Sequence, residues 1–477
     1  MLKLGAGTLA CAHACLAQQP ALTIRPEQFQ PNFSAAVLAE LGEFAVPENR
    51  AKRSGRSITL RFVRFASRNP KPGPPIVYLA GGPGGSGTAA AAGPRWPIFD
   101  ALREVADVIA FDQRGTGRSH TLPRCTSGAP VPNELPSTQT NLVNEYIKQV
   151  RHCRRFWDSA GVDLSAYNTN ASADDLEDLR KALGVEKLDL WGISYGTHLA
   201  LAALKRHPNS FRRAVLVSAE GLDQTVKMPS GTDAFFRRVQ ASIDRDSAAR
   251  AVYPDVAGLI RRVLAKVSAT PITARVSTQS GPADIVMGAF EMQLLTAERI
   301  SDPDVTATIL AAYRLADKGD YSAFADRAQR RTGQPIFIAP MPLAMDAASG
   351  ISPAARARVA EEARTGLLGA AMNWPMPHVA DELASLDLGE AFRAPFRGTQ
   401  PVLIISGTLD GRTYPADHRA IAAMFSDARI VTVENGGHNT VMLAPEVQHR
   451  IKAFFAGESV STASIVLPAP RWIQPHR

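Results

Sequence analysis

Residues Leu188–Arg206 read LDLWGISYGTHLALAALKR. A short strand-forming run enters Gly192-Ile193-Ser194-Tyr195-Gly196, and a helix-like pattern leaves it. A Gly-x-Ser-x-Gly string placed between strand and helix is a nucleophile elbow. The turn is tight, so the two glycines omit side chains that would collide with neighbouring backbone. It lifts the Ser194 hydroxyl above the sheet and directs the helix N-terminus towards it. The string alone is common; its strand-to-helix setting makes it specific.

Working outward, the first ~220 residues alternate strand and helix signals. Ser57–Phe65 alternates as a strand does, and Pro75–Leu79 is a buried-strand run that ends in the Gly-rich AGGPGGSG. Val105–Phe111 is another, ending in DQRGTGRS, and Val215–Ser218 follows the elbow. Ser172–Leu183 carries a capping Ser172, early acids and a closing Gly184, which predicts a helix. From Gln224 to Ala394 amphipathic helical patterns dominate and strand signal is scarce. Alternation then resumes with PVLIISG, a helix near Ala416–Met424, RIVTVENGGH and a last helix Glu446–Phe455. The expected architecture is α/β: a mostly parallel sheet with helices on both faces, interrupted by a helical insertion. Its core occupies residues 40–223 and 395–460, and the insertion, read as a lid, occupies 224–394.

A serine nucleophile needs a base, and the base needs an orienting acid. In elbow folds the chain order is Ser, acid, His. VLIISGTLDG places Asp410 just past a strand, and IVTVENGGHNT places His438 just past the next. Ser194, Asp410 and His438 are therefore the predicted triad. His198, within the elbow's helix, reads as packing; Asp417, His418 and His449 read as surface residues on flanking helices. An oxyanion requires backbone N–H donors. Tyr195 supplies one, and Gly82 of the Gly-rich loop is the choice for the second, because Pro83 has no N–H.

That loop also fits Gly-x-Gly-x-x-Gly at Gly82–Gly87, with Asp112 closing the next strand, as in a dinucleotide site. Pro83 would remove a donor from such a phosphate cradle, and the Ser194/Asp410/His438 order would go unexplained. No organic cofactor is called for, and no Cys/His spacing suggests a metal.

Composition narrows the class further. The 477 residues carry 53 Lys+Arg against 45 Asp+Glu, a net +8. The basic residues are dispersed in ones and twos, whereas nucleic-acid binding would gather them into a patch. No apolar run reaches the ~18 residues of a membrane span. Met1–Ala17 (MLKLGAGTLACAHACLA) resembles a short secretory signal, with one Lys, an apolar stretch and small residues before the cut. Export would remove Cys11 and Cys15 and leave Cys125 and Cys153, a pair in a loop-rich stretch. They read as one disulfide in an oxidising compartment or as two free buried thiols.

The strings LAGGPGGSG, DQRGTGRS, WGISYG, SGTLDGRTYP and GGHNT, in that order, resemble the α/β-hydrolase peptidases of the prolyl-aminopeptidase and tripeptidyl-aminopeptidase type. The likeness runs from about Phe44 to Phe455, loosely in the insertion. It implies an exported enzyme that removes residues from the N-terminus of short peptides, with acidic residues holding the free amine under a helical lid. Glu220, after VLVSA, and Asp346, in PLAMDAAS, are the candidates. Two departures stand out: Ala80 replaces a histidine found in cytosolic members, and cysteines that relatives often carry near Ala344 and near Ala371 or Met372 are missing. The same triad also suits a carboxylesterase, amidase or lactone hydrolase acting on a small acyl substrate, because the scaffold hosts many acyl-transfer chemistries. An intact triad argues against a binding protein that merely keeps the fold.

Overall fold

Residues on a strand face opposite sides in alternation, and the elbow strand shows what this does. Leu188 and Leu190 join one apolar cluster, beneath the helices Thr169–Ala182 and Tyr195–Arg206. Trp191 and Ile193 join the other, against Tyr78 and Phe99 and the helix Pro445–Ala456. A strand buried on both faces has no polar stripe, and Leu188–Ile193 is entirely buried.

The computed structural model describes residues 21–52, 55–125, 128–278, 281–331 and 335–473. The signal-like residues 1–17 lie outside these. Twelve strands are seen among the described residues: β1 (Leu22–Phe29), β2 (Val37–Pro47), β3 (Ser57–Phe65), β4 (Gly73–Leu79), β5 (Ala106–Asp112), β6 (Leu188–Ser194), β7 (Phe211–Ala219), β8 (Ile272–Thr278), β9 (Gly281–Met287), β10 (Val402–Gly407), β11 (Ala428–Glu434) and β12 (Ile465–Val466). Ten form one sheet in the order β1-β2-β3-β5-β4-β6-β7-β10-β11-β12. β1, β2 and β3 run antiparallel at one edge, and the strands from β5 to β12 are parallel neighbours. The fold is that of an α/β hydrolase.

Several local expectations are corrected. The sheet starts at Leu22, ahead of residue 40, because β1 is an edge strand whose mostly exposed residues carry no apolar stripe. The helix predicted from Ser172 begins at Thr169, and Asn168 caps it by accepting the Ala171 N–H at 2.9 Å. Ser172 lies buried within that helix. Cys153 sits in a helix, Gln139–Ser159, and not in a loop; it is bonded to Cys125, with Cα atoms 5.6 Å apart. Among the described residues the insertion is mostly helical, with the β8–β9 hairpin, and much of it packs into a third apolar cluster that also takes in Leu409, Tyr414 and Trp472. Among the described residues no helix is long and apolar enough to cross a membrane.

The DQRGTGRS string builds a buried electrostatic joint. Arg114 and Asp175 are both fully buried and meet through two bonds of 2.7 Å, Nε to Oδ2 and Nη2 to Oδ1. Nη1 of Arg114 donates to the carbonyls of Glu48 and Ala166 at 2.7 and 2.6 Å. The joint ties the loop after β5 to the end of β2 and the helix Thr169–Ala182. Asp175→Asn strands a charged guanidinium in the interior, and its expected cost is about 3–5 kcal/mol. A denaturant titration read by tryptophan fluorescence checks this; an unchanged midpoint refutes it.

Candidate active site

Ser194 ends β6 with φ 53° and ψ −129°, a conformation that few side-chain-bearing residues adopt. The next residue, Tyr195, opens the helix Tyr195–Arg206, so its N–H belongs to the helix's unpaired first turn. A Cβ at Gly196 would overlap the carbonyl of Leu79 on the neighbouring β4, which is why the second glycine is required. Thr197 donates its hydroxyl to the Ser194 carbonyl at 2.6 Å and accepts the Glu220 N–H at 2.7 Å, locking the elbow to the end of β7.

The neighbouring strand ends bring the other residues in. Asp410 follows β10 and accepts four bonds: from Arg412 N at 2.7 Å, Thr413 N at 2.9 Å, Thr413 Oγ1 at 2.8 Å and His438 Nδ1 at 2.9 Å. Burial would raise its carboxyl, but His438 and the Thr413 N–H hold it well below the usual carboxylate range. It is therefore charged, and it fixes the imidazole with Nδ1 protonated and Nε2 free to accept.

The Gly-rich loop after β4 carries Gly82 at φ 125°, lining the same cavity as Ser194. Asp112, the acid a dinucleotide site would have used, is spent on this loop. Its two oxygens take the Ser86 and Thr88 hydroxyls at 2.7 Å, the Thr88 N–H at 3.1 Å and the Arg118 N–H at 2.8 Å.

A model of the alpha/beta hydrolase fold matches residues 74–445, most of the chain. The chain belongs to the alpha/beta hydrolase family. It is 30% identical to the serine protease Hip1 of Mycobacterium tuberculosis over 184 residues, 37% of this chain and 35% of that protein. It is 28% identical to the tripeptidyl aminopeptidase of Streptomyces coelicolor over 218 residues, 44% of this chain and 38% of that one. The matched stretch thus spans little more than a third of these relatives. Among solved structures, the epoxide hydrolase of an endophytic Streptomyces matches with a TM-score of 0.41 and 18% identity, covering 89% of this chain and 99% of that one.

The cavity that Ser194 lines holds about 90 Å³ and lies between the elbow and the insertion. Gly82, Pro83 and Ser194 form one side; Asp346, Met372, Asn373 and Trp374 of the insertion form the other. Both predicted amine-binding acids face it, in different states. Glu220 is already paired with Lys227 Nζ at 2.5 Å. Burial opposes its charge, but Lys227 and then His198 draw its carboxyl below the ordinary value. Asp346 has no ion-pair partner among the described residues. Burial, and then the charge of Glu220, push its carboxyl up to about 7.

Three supports were not legible in the sequence. Asp302, in the insertion, accepts from Asn439 N, Asn439 Nδ2, Thr440 N and Thr440 Oγ1 at 2.9–3.0 Å, clamping the loop that bears His438. Ser301 takes the His438 N–H at 2.7 Å. His418, expected at the surface, is fully buried behind Asp410. Burial pushes its imidazole down to about 4, so it is neutral. The Thr413 hydroxyl is committed to Asp410, so Thr413 Oγ1 must accept from His418 Nε2, 3.2 Å away; His418 Nδ1 then accepts from Ser406 Oγ at 2.7 Å. His198 is buried packing, bonded to the Gly221 carbonyl and Ser349 Oγ, each at 3.0 Å.

Proposed function

We propose that this hydrolase is an exported serine aminopeptidase that releases N-terminal residues from short peptides through an acyl-enzyme. In this reading Ser194 attacks the scissile carbonyl while His438 takes its proton. Asp410 holds the imidazole and stabilises its charged form. The N–H groups of Gly82 and Tyr195 take the developing oxyanion. His438 returns the proton to the leaving amine, and water repeats the cycle to free the acid. The observation that carries the peptidase reading is Asp346: an unpaired carboxylate facing the cavity that holds Ser194, where a substrate ammonium would complete an ion pair. Relatives named as a serine protease and a tripeptidyl aminopeptidase support it. The signal-like N-terminus and the Cys125–Cys153 bridge support export.

The Glu220–Lys227 pair favours a second reading. It neutralises one of the two acids and leaves a less anionic pocket, suited to the acyl group of an ester, amide or lactone. Dependence on a free amine separates the two. An aminoacyl arylamide should be turned over at least ~100-fold faster than its N-acetyl form, since the blocked form forfeits a charge-assisted bond and must fit its acetyl group. Equal kcat/KM for both would leave the esterase reading.

A further inference from the structure

Two cationic side chains, Lys227 and Arg412, line the catalytic cavity. Lys227 is consumed by Glu220. Arg412 has no carboxylate partner among the described residues. It stands two positions past Asp410, in the turn after β10, and its backbone N–H helps hold that acid. Its guanidinium is anchored through Nη1 alone, donating to the Ala297 carbonyl at 2.9 Å with the Met372 sulfur 4.0 Å away. Nε and Nη2 have no bonded protein acceptor among the described residues. A guanidinium offers five N–H donors in a planar fork that matches a carboxylate. Here the anchored edge fixes the plane and the other edge remains open. The group is partly buried, so its charge is less screened than on the surface.

The cavity therefore presents an open cation and, at Asp346, an open acid, with Ser194 on the same wall system. A peptide carries the complementary pair, an ammonium at one end and a carboxylate at the other. Only a short one brings both charged ends near a single serine. Arg412 shares its turn with Asp410, which orients His438, the group that hands a proton to the leaving amine. That shared turn is the reason for assigning the cation to the leaving side of the scissile bond.

We propose that Arg412 is a specificity-determining residue that binds a carboxylate on the leaving group, so that the preferred substrates are dipeptides and similarly short peptides with an anionic leaving residue. This rests on the aminopeptidase reading of the same site. The carboxylate comes from the peptide C-terminus or from an acidic side chain beside the bond; both present the same chemistry to the guanidinium.

The test uses the full chain and begins with a panel of aminoacyl arylamides, which lack a carboxylate and identify the residue X released fastest. kcat/KM is then compared for X-Ala, X-Ala amide and X-Asp amide, in the wild type and in Arg412→Gln and Arg412→Lys. The wild type should prefer X-Ala over its amide by about tenfold or more, the scale of one charge-assisted bond. In Arg412→Gln that ratio should fall to within about twofold of unity, and Arg412→Lys should retain part of it. Fast cleavage of X-Asp amide assigns recognition to carboxylates in general, and slow cleavage assigns it to the C-terminus. Equal wild-type rates for X-Ala and its amide overturn the proposal while leaving the aminopeptidase reading intact. So does an Arg412→Gln enzyme that loses both substrates in proportion, which is what a merely structural arginine would produce. If no arylamide with a free amine is cleaved while blocked esters are, the aminopeptidase reading itself fails, and this proposal with it.

Discussion

Ser194→Ala is expected to lower kcat by ~10⁴-fold or more on every substrate the enzyme accepts, with folding unchanged. The loss is large because in the proposed mechanism nucleophile, base and acid act as a unit: without the hydroxyl, His438 has no proton to take and no acyl-enzyme forms. What remains is the oxyanion hole and binding, which together sustain a small residual rate. The fold should tolerate the change, since alanine removes one cavity-lining oxygen and the strain at φ 53° is held by the Gly192 and Gly196 contacts. Two measurements check this. An organophosphonate should label the wild type at one equivalent, on Ser194, and the variant not at all. Circular dichroism and the unfolding midpoint should coincide for the two proteins. Normal turnover by the variant would move the chemistry to another residue.

Asp346→Asn is expected to reduce kcat/KM for free-amine substrates by about 10- to 100-fold, mostly through KM, with little effect on N-blocked ones. The size follows from a charge-assisted hydrogen bond of about 1.5–3 kcal/mol, at ~1.4 kcal/mol per factor of ten. The pH profile carries a second signature. Burial and then Glu220 push the Asp346 carboxyl up to about 7, with Lys227 and Arg412 pulling the other way. Below that value it is neutral and offers an ammonium no charge, so kcat/KM for a free-amine substrate falls as pH drops through about 7. Above ~8 the substrate's α-amino group loses its own proton, which brings the rate down again. A blocked substrate reports the triad alone. The free-to-blocked ratio should therefore peak between these limits in the wild type and lose its acid limb in Asp346→Asn. A ratio that ignores pH, or a variant that slows both substrates alike, would remove Asp346 from amine recognition and return the role to Glu220.

Much of the framework was readable in one dimension because its signals are local. Gly192 and Gly196 flank Ser194 within one turn, and the strand and helix on either side have opposite periodicities. Asp410 follows a buried apolar strand that ends in Gly407, and His438 follows the half-buried strand Ala428–Glu434 and a Gly436-Gly437 pair, so their places at the carboxyl edge follow from strand boundaries. Where the pattern was weak the reading slipped. β1 shows no apolar alternation, and the helix around Cys153 is flanked by Pro- and Ser-rich sequence that reads as loop.

The charge state of the pocket was a different kind of question. Lys227 lies seven residues from Glu220, in a stretch without a regular period, and only the packed insertion brings its ammonium onto that carboxylate. Asp302 lies in the insertion, yet its carboxylate clamps the His438 loop 137 positions away. His418 sits on a helix of mixed polarity, and its burial behind Asp410 depends on Ser406 and Thr413 meeting it across the β10 turn. Sequence by itself determined the fold, the elbow and the order of the candidate triad residues along the sheet, because backbone geometry and side-chain periodicity are local physics. Tertiary structure decided which acid is neutralised, which is left open and which unpaired cation lines the cavity. Coulomb energy depends on distance and burial, and neither is encoded by separation along the chain.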